Sequence, residues 1–135
     1  MGNRRQSREM ALQILYQMEM RDTDPKGVLP LFQKHEEFVA DVREFSIQIV
    51  EGTYRNRREI DQIIEKHSAN WKLSRMAVVD RNILRLGVYE LLYLHEIPTS
   101  VALNEAIEVA KRFGTENSSS FINGILDQVA KEVRK

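Results

Sequence analysis

The chain has 135 residues, 42% apolar and 30% charged, a size and balance that suit one folded domain with a real core and exclude a disordered one. Lys plus Arg total 20 and Asp plus Glu total 20, so binding to nucleic acid has to come from a local basic patch and not from net charge. The absence of cysteine excludes disulfides, thiolate catalysis and sulfur-ligated zinc and points to a reducing compartment.

Helical periodicity runs through nearly the whole chain, and alternating strand patterns are missing. The first helix is predicted over about Arg4 to Arg21, with Ala11, Ile14, Leu15 and Met18 on one face. Asp22-Thr23-Asp24-Pro25 ends it and caps a short second helix near Lys26 to Gln33. A third follows on Phe38, Val42, Phe45 and Ile49, closed by Gly52 and the polar Arg55-Asn56-Arg57-Arg58 stretch. Asn56 and Glu59 form a capping-box pattern for a fourth helix carrying Ile60, Ile63 and Ile64. Trp71 lies in the link to a fifth helix, about Met76 to Leu94, apolar nearly all round except for a stripe of Arg81, Asn82 and Arg85, and so placed at the centre of a bundle. Pro98 and Thr99-Ser100 start a sixth helix that stops at Gly114. Asn117-Ser118-Ser119-Ser120 opens a seventh, with Ile122, Ile125, Leu126, Val129 and Val133 inward. No repeat or low-complexity tract interrupts the pattern, so all-α architecture in one domain, residues 1–135, is the expectation.

No signal peptide is visible, and Asp80, Arg81, Arg85 and Glu90 interrupt the longest apolar stretch, Val78 to Leu94, so a cytoplasmic protein is expected. Met1-Gly2 hints at myristoylation, but Gln6 stands where a Ser or Thr is wanted. His35, His67 and His95 are dispersed and read as surface or helix-end residues, and Val39 occupies the second histidine position of the zinc-protease pattern that His35-Glu36-Glu37 begins. The glycines are isolated, so no phosphate loop or dinucleotide fingerprint exists, and Ser118 to Ser120 lack a nucleophile elbow. Asp80 and Glu90 point toward apolar sides of helix five; the structural reading, pairing with an arginine such as Arg81 or Arg85 or capping a neighbouring helix, outweighs a tuned catalytic carboxylate. No enzyme, cofactor or metal site is expected.

Two segments suit RNA. Arg4, Arg5 and Arg8 give the first ten residues a charge of +2 against Glu9, and the stripe Arg5, Glu9, Leu12, Tyr16 ends in an aromatic ring. Arginines for phosphates and a ring for a base is a usual single-stranded RNA arrangement; the competing reading is a solvated helix start with Tyr16 flanking the core. Positive charge also runs against the dipole of a helix N-terminus, which favours a ligand role. The second segment is Asn117-Ser118-Ser119-Ser120-Phe121, where free N–H groups and hydroxyls suit a phosphate. Phe121 is expected to stack on a base, burial against Ile125 and Leu126 being the rival, and Lys111 and Arg112 add positive charge upstream.

Taken together, the blocks Ile83-Leu84-Arg85-Leu86-Gly87-Val88-Tyr89-Glu90-Leu91, Ile97-Pro98, Asn104 through Gly114 and Phe121 through Asp127, with Arg8-Glu9, Ala11-Leu12-Gln13 and Leu15-Tyr16 at the start, resemble the NusB family of bacterial transcription antitermination factors over nearly the whole chain. The resemblance implies an all-α bundle of two subdomains, roughly 1–55 and 56–135. It implies binding to the boxA element of nascent ribosomal RNA together with NusE, a small-subunit ribosomal protein, within the RNA polymerase antitermination complex. A homodimer of the free protein is left open. Carried over residue by residue, RNA contacts fall on Arg4, Arg5, Arg8, Tyr16, Asn117, Ser118 and Phe121. Gln6 and Ser7 stand where some relatives carry further basic or small residues, so the arginine patch is modest and implies weak RNA affinity without a partner. Two rivals stand beside this reading. One is the NusB-like domain of a ribosomal RNA cytosine methyltransferase, which needs a separate S-adenosylmethionine domain that the chain, ending at Lys135, does not carry; the other is a protein–protein scaffold that does not bind RNA.

Overall fold

The 3.6-residue apolar period yields an all-helical bundle in a computed structural model that describes residues 3–33, 39–69 and 71–134. Among the described residues the helices are α1 (Asn3–Arg21), α2 (Leu29–Gln33), α3 (Ala40–Arg55), α4 (Arg57–His67), α5 (Val78–Tyr93), α6 (Thr99–Phe113) and α7 (Ser118–Val133). Short 3-10 turns at Pro25–Gly27 and Leu73–Arg75 precede α2 and α5. Phe38, His35 and the Met1-Gly2 pair lie outside the described residues. No helix among those described is long and apolar enough to cross a membrane.

α5 is the axis, as its all-round apolar pattern predicts, and α1, α3, α4, α6 and α7 all pack on it. From Asn82 to Leu91 only Arg85 escapes burial. Two glycines allow close approach there. A Cβ at Gly52 of α3 would sit 2.3 Å from the Tyr89 ring, and one at Gly87 would sit 2.9 Å from Leu126 of α7. The C-terminal carbonyls of α5 are satisfied by Arg134, whose guanidinium donates to the carbonyls of Glu90, Leu91 and Leu94 and, at 2.6 Å, of Ile97. α1 lies along α3, where the Ser7 hydroxyl donates to the Val42 carbonyl at 2.9 Å and the Arg4 guanidinium covers the Phe45 ring at 3.7 Å.

Three sequence expectations are corrected. The second helix is not continuous over Lys26–Gln33: it divides into the Pro25–Gly27 turn and the five residues of α2. The capping box does not form, because the Asn56 amide donates to the Gly52 carbonyl at 2.8 Å and the Glu59 carboxylate accepts from the Tyr93 hydroxyl. Nor do Asp80 and Glu90 pair with Arg81 or Arg85. Residues one, five or nine positions apart on a helix do not share the i,i+3 or i,i+4 spacing that lets side chains meet, so each group finds its partner on another element. Arg81 and Arg85 instead converge on Glu19 of α1, Arg85 also binds Asp61 of α4 at 2.8 Å, and the Asn82 amide donates to Glu19. Burial alone would raise the Glu19 pKa, but the two guanidinium groups outweigh it and hold the carboxyl below its ordinary value.

Candidate functional site

The three N-terminal arginines sit on successive faces of α1 and meet different fates. Arg8 turns inward, 5% exposed, and grips Glu90 of α5 through two bonds of 2.7 and 2.8 Å, with Glu105 of α6 at 3.4 Å. Glu90 is itself 2% exposed. The pair is therefore a bidentate internal clamp between α1 and α5, and the expected phosphate ligand at Arg8 becomes a structural residue. Arg5 is half-exposed and bound to Glu105 at 2.5 and 3.1 Å. Its hydrogen bond holds the Glu105 carboxyl below the ordinary range, and the same bond raises the Arg5 pKa. Arg4 stays exposed over Phe45.

Of the predicted stripe, Glu9 and Leu12 are buried, and Tyr16 emerges at 38% exposure. Glu9 receives Arg112 from the end of α6 at 2.6 Å, leaving the rest of that guanidinium solvent-facing beside the Phe113 ring. Arg112 thereby joins the two predicted segments: it touches α1 on one side, and just beyond it the chain leaves α6 and turns through Gly114 to Asn117 on the other. Gly114 is required by closeness, since a Cβ there would meet the Ser118 hydroxyl at 2.4 Å.

At the start of α7, Ser118 is buried; its hydroxyl donates to Asp80 at 2.7 Å and accepts from the Thr115 N–H at 2.9 Å. This accounts for Asp80 and corrects Ser118 from a ligand-facing hydroxyl to an anchor of the α6–α7 turn. Asn117 is exposed, and its side chain does not cap α7. Phe121 is half-buried at the margin of the core, and the edge of its ring meets Trp71 with centroids 6.3 Å apart and planes at 79°. Trp71 is 53% exposed. Trp71, Phe121, Arg75, Met76 and Asn117 border an open groove of about 320 Å³, within the range of small-ligand clefts of about 300–1,000 Å³.

In sequence Trp71 lies in a linker and no motif marks Arg75. The available signal was an aromatic ring outside any helical period, followed by the cations Lys72 and Arg75. His67 ends α4 with Nε2 3.3 Å from Glu132, and His95 is exposed just beyond α5. No group of three or more potential metal-ligating side chains occurs among the described residues. The geometry offers exposed cations from α1 and α6 and two aromatic rings at the entry to α7, an arrangement suited to holding phosphates and bases.

Comparison with known proteins agrees in extent with the whole fold. The model of the NusB family matches residues 5–131. The chain is similar to the transcription antitermination protein NusB of Myxococcus xanthus, 48% identical over 139 residues covering 100% of this chain and 99% of that protein. Its counterpart in Geobacter sulfurreducens is 48% identical, covering 96% and 95%. Among solved structures, that of T. maritima NusB superposes with a TM-score of 0.89 at 43% identity, covering 96% and 91%. A NusB in a structure of antitermination factors NusB and NusE in complex with dsRNA superposes with a TM-score of 0.87 at 29% identity, covering 96% and 97%.

Proposed function

The chain belongs to the NusB family, and from that premise we propose that it acts as a transcription antitermination factor that binds RNA together with NusE, its RNA target being boxA of nascent ribosomal RNA within the RNA polymerase antitermination complex. The observation that carries this reading is the aromatic pair Trp71 and Phe121 beside exposed Asn117, on a surface joined by Arg112 to the arginines of α1. Arg4, Arg5 and Arg112 hold phosphates, Tyr16, Trp71 and Phe121 supply base-stacking surfaces, and Asn117 reads a polar edge. Arg8 and Ser118 position these groups from within, through Glu90 and Asp80.

Three available cations, two of them each already paired with a carboxylate, imply modest affinity for RNA alone and a need for the partner. Titrating labelled boxA RNA with and without NusE tests this. The expected result is tighter binding with NusE and a log–log salt slope of about −2 for three single-strand phosphate contacts. Absence of binding under both conditions would leave a protein scaffold and overturn the reading.

A further inference from the structure

The α3–α4 corner carries three exposed arginines in four residues, Arg55, Arg57 and Arg58. Arg55 and Arg58 have no hydrogen-bond or ion-pair partner among the described residues. Arg57 donates only to the Tyr54 carbonyl, at 2.8 Å, and lies over the Tyr54 ring at 4.0 Å. The neighbouring acids on α4 are engaged elsewhere, Glu59 with the Tyr93 hydroxyl and Asp61 with Arg85. Arg57 and Arg58 also occupy the first turn of α4, where the helix dipole disfavours positive charge. The corner thus holds three cations that repel one another and make no ion pair among the described residues, a charge that a polyanion would offset.

The Arg57–Tyr54 stack adds recognition beyond charge. One face of the guanidinium covers the ring, and Arg57 is exposed, so a flat cationic plate is available for a nucleobase. We propose that this corner is a second RNA contact, in which Arg55 and Arg58 hold backbone phosphates and a base stacks on the Arg57–Tyr54 pair. The inference rests on the RNA-binding reading above and extends its footprint. The two surfaces are linked by α1: Tyr54 and Arg57 border a cleft of about 180 Å³ with Met18, Asp22 and Thr23 at the C-terminal end of the helix that carries Arg4, Arg5 and Tyr16.

The test is binding of two labelled RNAs, boxA alone and boxA extended by about ten nucleotides on each side. They are titrated against the wild-type chain, the Arg55→Ser/Arg57→Ser/Arg58→Ser variant and Arg57→Lys, with thermal melts confirming that each is folded. The extension should tighten wild-type binding at least about fivefold, the value of one stacked base at the low end. The triple variant should hold both RNAs as the wild type holds the short one. Arg57→Lys, which keeps charge but loses the flat face, should recover part of the gain. A wild-type chain indifferent to the extension, or a triple variant that keeps the full gain, overturns the proposal. A wild-type chain that binds only the extended RNA, and loses it with the arginines, sinks the boxA surface and leaves the corner standing; binding of neither RNA sinks both.

Discussion

At the N-terminal end of α1, Arg5 lies on Glu105 and Arg8 on Glu90, so two of the three arginines there are joined to helices α6 and α5. At the α3–α4 corner, Arg55, Arg57 and Arg58 make no ion pair among the described residues. The difference lies in what the facing helix presents. α5 and α6 turn Glu90 and Glu105 toward α1, whereas Glu59 and Asp61 on α4 are drawn to Tyr93 and Arg85. A cluster of arginines is therefore a binding surface only to the extent that its neighbours leave it charged, and the two clusters can be separated by experiment.

The largest effect is expected at the buried clamp. Arg8→Met leaves Glu90 unpaired in the core and should cost about 3–5 kcal/mol of folding stability in urea denaturation. Adding Glu90→Leu removes the orphaned charge and should restore most of that loss. A silent Arg8→Met would return Arg8 to the pool of surface cations. Leu86, buried on the same helix, gives the apolar counterpart: Leu86→Ala should cost about 2–5 kcal/mol, which no charge change rescues.

Phe121→Ala comes next and divides two roles. Its ring is half-buried against the core and Trp71, so the stability loss should fall short of the roughly 3–5 kcal/mol of a fully buried aromatic. RNA binding should weaken by about 1–3 kcal/mol if the ring stacks on a base. Melts and titrations in one buffer separate them, and normal RNA affinity in a destabilised protein would make Phe121 a core residue alone.

Acid separates the clusters without mutation. The folded-state pKa of Glu105 is depressed, first by its hydrogen bond to Arg5, and that of Glu19 is depressed by Arg81 and Arg85 despite burial. Each contributes stability that is complete above the unfolded carboxylate pKa and lost as pH falls through the lower folded value. Denaturation midpoints should therefore fall as pH drops through and below the ordinary carboxylate range, and Glu105→Gln should flatten part of that decline. Substituting the arginines of the α3–α4 corner, which hold no carboxylate, should leave the acid profile unchanged. A profile of Glu105→Gln superimposable on the wild type would show that the Arg5 contact carries no linkage.

The helices and their central element were readable from sequence because apolar periodicity reports burial directly, as α5 shows from Ile83 to Leu91. Partner choice was not readable. Arg8 and Glu90 are 82 positions apart, and nothing local distinguishes Arg8 from Arg4, one turn earlier. Ser118 reads as a free helix-start hydroxyl until Asp80, 38 positions away, is placed against it. Trp71 has no periodicity to reveal its meeting with Phe121. The tertiary pairing of charged side chains, and not the secondary structure, decided which of the candidate residues face solvent.

The smallest effect is also the most specific to the comparison. Arg4 and Arg58 both sit in the first turn of a helix, where a positive charge is disfavoured by about 0.3–1 kcal/mol. Arg4 recovers this by lying 3.7 Å over the Phe45 ring, a cation–π contact of about 0.5–1 kcal/mol at an exposed site. Arg58 has no such compensation among the described residues. Arg4→Gln should therefore leave stability near the wild-type value, whereas Arg58→Gln should raise it by about 0.3–1 kcal/mol. The gain should shrink in high salt, where the dipole interaction is screened. Urea midpoints of the two variants at low and high salt check the pair of signs. If Arg58→Gln destabilises, the corner holds a favourable contact in the free protein, and the view that its arginines await a counter-charge loses its energetic basis.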